Sequence, residues 1–316
     1  MTFPKSSGDA LTHTEVNDLY YRILPKSEIG GDGSDGALSV SAGTTNVSGV
    51  KNYTTISVSN GATLNIQGPT ILMATSTVNI AGAITSDDNT AGYCAGPGGH
   101  SAAPGNCGYG GWGGFEWLQY QYRRIPYGGG RGGYGGAAAL ATGANRIGGG
   151  GGGGGAGAYT GGIGGVGTEN AGSATGSTGG TGGAPDHGLI IESVGDFTFA
   201  STADIDLKGA AGGAATGNGG GGGGGGGSSF QALTLGDLTF TASANINVTG
   251  GAGGAGAGGD GAGGGGGSGG SIKFWYLGSL TDAGTTVVTG GAAGAGAGTA
   301  GAGTTGIYTT EQISNF

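Results

Sequence analysis

Seven aromatic side chains and two arginines crowd into residues 109–127, YGGWGGFEWLQYQYRRIPY: Tyr109, Trp112, Phe115, Trp117, Tyr120, Tyr122 and Tyr127, beside Arg123 and Arg124. Aromatic rings with arginine make the composition of an interface hot spot. Gly110, Gly111, Gly113 and Gly114 interrupt the rings, so a loop can project them at varied angles. The guanidinium fork suits acidic or carbohydrate groups. Tyr109, Trp112, Phe115, Trp117, Tyr120, Tyr122, Arg123 and Arg124 are therefore the candidate receptor-binding residues. The competing reading is that these rings form the core of a loop subdomain or stack on bare glycine faces.

The remaining reactive side chains are sparse. His13, His100 and His187 have no second His or Cys at a ligand spacing, so no metal site is expected. Cys94 and Cys107 lie 13 apart in a segment with Pro97 and Pro104. Outside a cell a disulfide closing that loop is the favoured reading, worth about 3 kcal/mol in the entropic model, with two free thiols as the alternative. Asp32 and Asp35 flank a Gly-rich turn that lacks the alternating ligands and distal Glu of a calcium loop. Asp196, Asp237, Asp204 and Asp206 suit turn hydrogen bonding better than a catalytic carboxylate pair. No phosphate loop G-x-x-x-x-G-K-[ST] is present, and with glycine everywhere a G-x-G-x-x-G match carries no weight. The expectation is no catalysis, no cofactor and no metal.

Composition narrows the class. Of 316 residues 89 are Gly and 7 are Pro, which excludes an ordinary enzyme domain, where glycine runs near ~7%. Collagen fails too, because the glycines lack its strict three-residue period and the proline is scarce. Ten Lys and Arg against 19 Asp and Glu give a net charge of -9, leaving no basic stripe for nucleic acid. No run approaches the ~20 apolar residues of a membrane span, and the first residues have neither the basic start nor the apolar stretch of a secretory signal. A stiff extracellular or virion part, released by lysis, fits this balance.

The elements that must position these residues follow from periodicity. Thr12 and Glu15 form a capping box, and Val16, Leu19, Tyr20 and Ile23 fall at i, i+3, i+4 and i+7 before Pro25, which predicts a short amphipathic helix. Its stripe needs a partner, so residues 1–30, with Leu11, Val16, Leu19, Tyr20 and Ile23, are the expected attachment element, joining other virion proteins or a second copy. Residues 31–88 read as a β segment, with Ile56, Val58, Leu64, Ile66, Val78 and Ile80 alternating with Thr, Ser and Asn. Residues 89–187 read as a glycine- and aromatic-rich insertion. Across 188–316 a unit recurs: GDFTFASTADIDLKGAAGGA from Gly195, GDLTFTASANINVTGGAGGA from Gly236 and GSLTDAGTTVVTGGAAGAGA from Gly278, the starts 41 and 42 residues apart. Such a period predicts stacked units, each read as two short strands and a glycine tract.

The tracts are 128–136, 148–155, 219–227 and 263–267. Pure glycine has no side chain to bury and loses about 1 kcal/mol or more per residue in backbone entropy, so only backbone hydrogen bonding can order it. Threefold extended helices, which aim N–H and C=O outward and lack Cβ atoms, are predicted to pair laterally, with Ala and Thr marking outward faces. The expected fold class is mostly β and irregular: a short N-terminal helix, a small β-solenoid-like strand stack and a polyglycine II helix bundle.

Two resemblances attach to these residues. Gly8-Asp-Ala-Leu-Thr-His-Thr-Glu-Val-Asn-Asp-Leu19 resembles the segment near the N-terminus of many bacteriophage tail and fibre proteins. The glycine tracts resemble the receptor-binding adhesins at tail-fibre tips of T-even-like phages, which carry a sandwich of polyglycine II helices. That likeness implies that the four tracts are the helices and that 109–127 is among the loops meeting a host surface protein or glycan. It departs from those adhesins in its β repeat and its leading β segment. The implied protein is a virion fibre or adhesin, a homo-oligomer without nucleic-acid or membrane partners. A purely structural filament or coat subunit is the alternative, and an ice-binding protein with flat Ala/Thr faces is a further one.

Overall fold

The structure, a computed structural model, describes residues 29–86, 187–216, 220–257, 262–296 and 300–313. Strand accounts for 46% of these residues and helix for none. Every strand pairing is parallel, and the registers arrange the strands as six successive coils of chain, each with three faces.

The first face contains β1 (Ala37–Val40), β3 (Thr55–Val58), β5 (Val78–Ile80), β8 (Phe197–Phe199), β11 (Leu238–Phe240) and β14 (Leu280–Asp282), in that order. The second and third faces share one sheet because two strands bend across both. Residues 43–47 of β2 (Gly43–Tyr53) and the start of β4 (Ala62–Ala74) precede β6 (Ala83–Ser86), β9 (Asp204–Asp206), β12 (Asn245–Asn247) and β15 (Thr285–Val287) on the second face. The later halves of β2 and β4 adjoin β7 (Leu189–Ser193), then β10 (Ser229–Thr234), β13 (Ser271–Tyr276) and β16 (Ile307–Gln312) on the third. At the bend the β2–β4 register shifts between Val47 and Gly49, and Gly49 adopts φ 72°, a conformation open to glycine.

Alternation sends one residue of every pair inward, and like stacks on like along the coils. One inward row runs Val40, Val58, Ile80, Phe199, Phe240; another runs Leu64, Ile84, Ile205, Ile246. All are buried in one continuous core. Its middle is aromatic: Phe199 stacks on Phe197 and Phe274 at 4.6 and 5.8 Å between centroids and meets Phe230 and Phe240 edge-on.

The fold class expected from sequence is corrected accordingly. No helix occurs among the described residues, and the segment assigned the N-terminal helix lies outside them except for Ile29 and Gly30. Strands are not a small stack beside an irregular, glycine-built body. They are the body, a parallel array that nearly closes on itself, and the described glycine segments are excursions from it. The cause is the third strand of each coil, which gives every unit enough apolar surface to enclose a core.

Candidate binding surface

The first two coils turn from the second to the third face within a few residues, around Gly49 and Gly68. Later coils replace that corner with long excursions. In the third coil the chain leaves after Ser86 and returns at His187, whose N–H donates to the Ser86 hydroxyl at 3.2 Å, so the two ends of the intervening segment adjoin. The next three coils send out residues 207–228, 248–270 and 288–306 between their second- and third-face strands. Coil stacking therefore lines these excursions up along one edge of the molecule.

Backbone hydrogen bonds hold the excursions together. On the outgoing legs Gly209, Gly212 and Ala215 donate to Thr249, Ala252 and Ala255, and Gly250, Gly253 and Gly256 donate in turn to Thr289, Ala292 and Ala295. On the returning legs Gly221, Gly224 and Gly227 donate to Ala262, Gly265 and Ser268. The two layers are tied by Gly222 to Gly213, Gly225 to Ala210, Gly251 to Gly225 and Gly267 to Gly251. A partner recurs at every third residue, the period of extended threefold backbone. Glycine is required here by close approach: a Cβ on Gly224 would lie 2.0 Å from the Gly251 carbonyl oxygen, and one on Gly254 2.0 Å from that of Gly213. Side chains stand where the layer faces outward, at the exposed Ala211, Ala214, Ala252, Ala255, Ala292 and Ala295. Ala262, inside a returning leg, is fully buried, so alanine does not by itself mark an outward face.

The carboxylates serve the coils. Asp196 accepts the N–H of Asp237 at 3.0 Å, and Asp237 accepts that of Ser279 at 2.7 Å, a ladder at the turn into the first face. The Ser279 N–H, then its hydroxyl, holds the Asp237 carboxyl below the usual aspartate range. Asp204 accepts from the Asn245 amide, and Asp206 pairs with Lys208 at 2.7 Å. Asp32 caps the Ser34 N–H, which lowers its pKa, and Asp35 accepts the Asn52 N–H. Among the described residues no three His, Cys, Asp or Glu side chains gather as metal ligands.

The candidate receptor-binding residues Tyr109, Trp112, Phe115, Trp117, Tyr120, Tyr122, Arg123 and Arg124 lie outside the described residues, as do Cys94 and Cys107, and the attachment residues Leu11, Val16, Leu19, Tyr20 and Ile23. What the structure fixes is the base of the segment that carries the aromatic group, at the corner shared with the glycine excursions. Sequence reading missed one aromatic feature of the coil itself. On the outer side of the third face Lys273 Nζ sits 3.1 Å from Glu311 and 4.2 Å from the centre of the Trp275 ring, and the indole N–H donates to the same carboxylate. The run SIKFWYL was its only signal.

Compared with protein-family models, with curated proteins and with solved structures, the chain matches none.

Proposed function

We propose that this chain is a virion fibre or adhesin protein that attaches through its N-terminal residues and presents loops from one edge of a stiff coil to a host surface protein or glycan. The observation that carries this reading is the shared corner: residues 87–186, which contain the aromatic run, begin and end where three glycine excursions leave the coil, those three stacked in register. Binding residues are typically held on loops that a rigid scaffold positions. A hydrogen-bonded glycine layer costs little further ordering when a ligand docks, which favours affinity.

Purified chain should compete with the intact particle for adsorption to host cells. Replacing Trp117 and Tyr120 with Ala should remove that competition while the chain stays folded. Undiminished competition by the folded variant would remove 109–127 from the binding surface; loss of folding would make the rings core. Deleting residues 1–30 should leave binding intact and abolish incorporation into particles.

A second reading has its own support. The exposed alanines at 211, 214, 252, 255, 292 and 295 recur every third residue on neighbouring legs joined by hydrogen bonds, a repeating apolar pattern suited to ice. Thermal hysteresis in the purified chain would favour it, and its absence would dismiss it.

A further inference from the structure

The two ends of the coil differ. At the first end Asp35 takes both main-chain groups of Asn52, donating its own N–H to the Asn52 carbonyl and accepting the Asn52 N–H, each at 2.7 Å. The inward residues of that first coil, Val40, Val47 and Tyr53, are buried. At the last end no described residue crosses the edge. Leu280, Val288 and Tyr308 pack on the core yet remain partly uncovered, and Ile307 is 39% exposed.

Hydrogen-bond parity identifies the groups that no described residue pairs. Ile307 and Ile313 donate inward to Gly270 and Tyr276, so along β16 the alternate residues Tyr308, Thr310 and Gln312 direct their N–H and C=O away from β13. By the same alternation Leu280 and Asp282 face outward, since the Ser279 and Ala283 backbones bond the preceding coil, and Thr286 does so after Thr285. Among the described residues, the six of β16 thus form an edge without a strand partner, at the floor of a core that no described residue caps.

We propose that two copies of this chain join through their last coils, about a twofold axis passing beside Thr310. Antiparallel pairing of β16 with its mate, centred there, sets Thr310 against Thr310, Tyr308 against Gln312 and Thr309 against Glu311. The residues that meet as hydrogen-bonded pairs are those whose main-chain groups point outward. No like charges face each other: Glu311, already paired with Lys273, meets a threonine. The same axis exchanges the first and second faces, so β14 meets the mate's β15. Asp282 continues the inward row after Phe240, accepts the Tyr308 hydroxyl, and thereby faces Thr285–Val287, a strand without charge. The half-covered Leu280, Val288 and Tyr308 of both copies close one core. A twofold contact of this kind is self-limiting, in contrast to head-to-tail stacking, which would grow into fibres. The glycine edges of the two copies leave from opposite corners and do not collide.

Sedimentation velocity of the full chain over a wide concentration range tests this. The expected result is a species of twice the 29.4 kDa chain mass that dissociates on dilution. Thr310→Pro removes an outward N–H without touching the inner ladder and should raise the dissociation constant at least tenfold; Thr310→Val should leave it unchanged. In the unmodified chain the amides of Tyr308, Thr310 and Gln312 should be protected from hydrogen exchange at high concentration and exposed on dilution, with those of Ile307 and Thr309 indifferent, a readout that needs no variant. A single-chain mass at every concentration, a dimer insensitive to Thr310→Pro in a folded variant, concentration-independent exchange at Thr310, or species larger than two chains would each overturn the proposal.

Discussion

Phe199 touches Phe197, Phe230, Phe240 and Phe274, so the aromatic packing of two successive coils converges on one ring with no exposed surface. Phe199→Ala should cost about 3–5 kcal/mol, read from denaturant midpoints, because neighbours held in registered strands cannot collapse into the space. Asp237 acts differently. Its folded pKa lies below the unfolded value near ~3.9, so its contribution is complete above that value and disappears as pH falls through the folded pKa. Removing the charge with Asp237→Asn should flatten the acid limb of a stability–pH profile; an unchanged limb would show that the ladder from Asp196 to Ser279 is not coupled to folding. This residue-level role was legible, since aspartates repeating with the units read as turn acceptors. The clustering of phenylalanines was not, because Phe230 and Phe274 sit in strands that sequence reading did not identify.

Those strands are the main lesson at the scale of elements. The alternating FTF and DID or LTF and NIN pairs were visible because each exposes one side to water. The third strand of each coil, LIIES, SFQALT or SIKFWY, is covered on both sides through most of its length and so reads as an unbroken run, as buried parallel strands do. Without it a unit looked like two strands and a tract, too little to enclose a core. The same reading treated the tracts as a body of their own, when in fact they fill a corner that the first coils turn in a few residues. Substitutions separate the two sides of an excursion. Gly224→Ala drives a methyl onto the Gly251 carbonyl and should destabilise the chain by about 1–3 kcal/mol in a thermal or denaturant melt. Ala214→Gly, on the exposed side of the outgoing leg, should cost less than about 1 kcal/mol. Equal effects would mean that the legs are not in contact.

For the molecule as a whole, each coil touches mainly its neighbours, so stability accumulates along the axis as in other repeat arrays. Strands before and after residues 87–186 share the same sheets, which makes that long segment an outgrowth of one coil. The 41-residue repeat announced the stacking; the three-sided coil behind it was hidden, because the link from β6 to β7 spans a hundred residues and no local pattern shows that they are neighbours. The described glycine excursions, though without side chains, are ordered as firmly as the strands they leave, by backbone hydrogen bonds alone. Native-state hydrogen exchange tests it directly. The amides of Gly222, Gly225, Gly251 and Gly267 should exchange slowly, within about tenfold of the strand amides of Phe197 and Leu238; exchange at the rate of a free glycine linker would contradict the account.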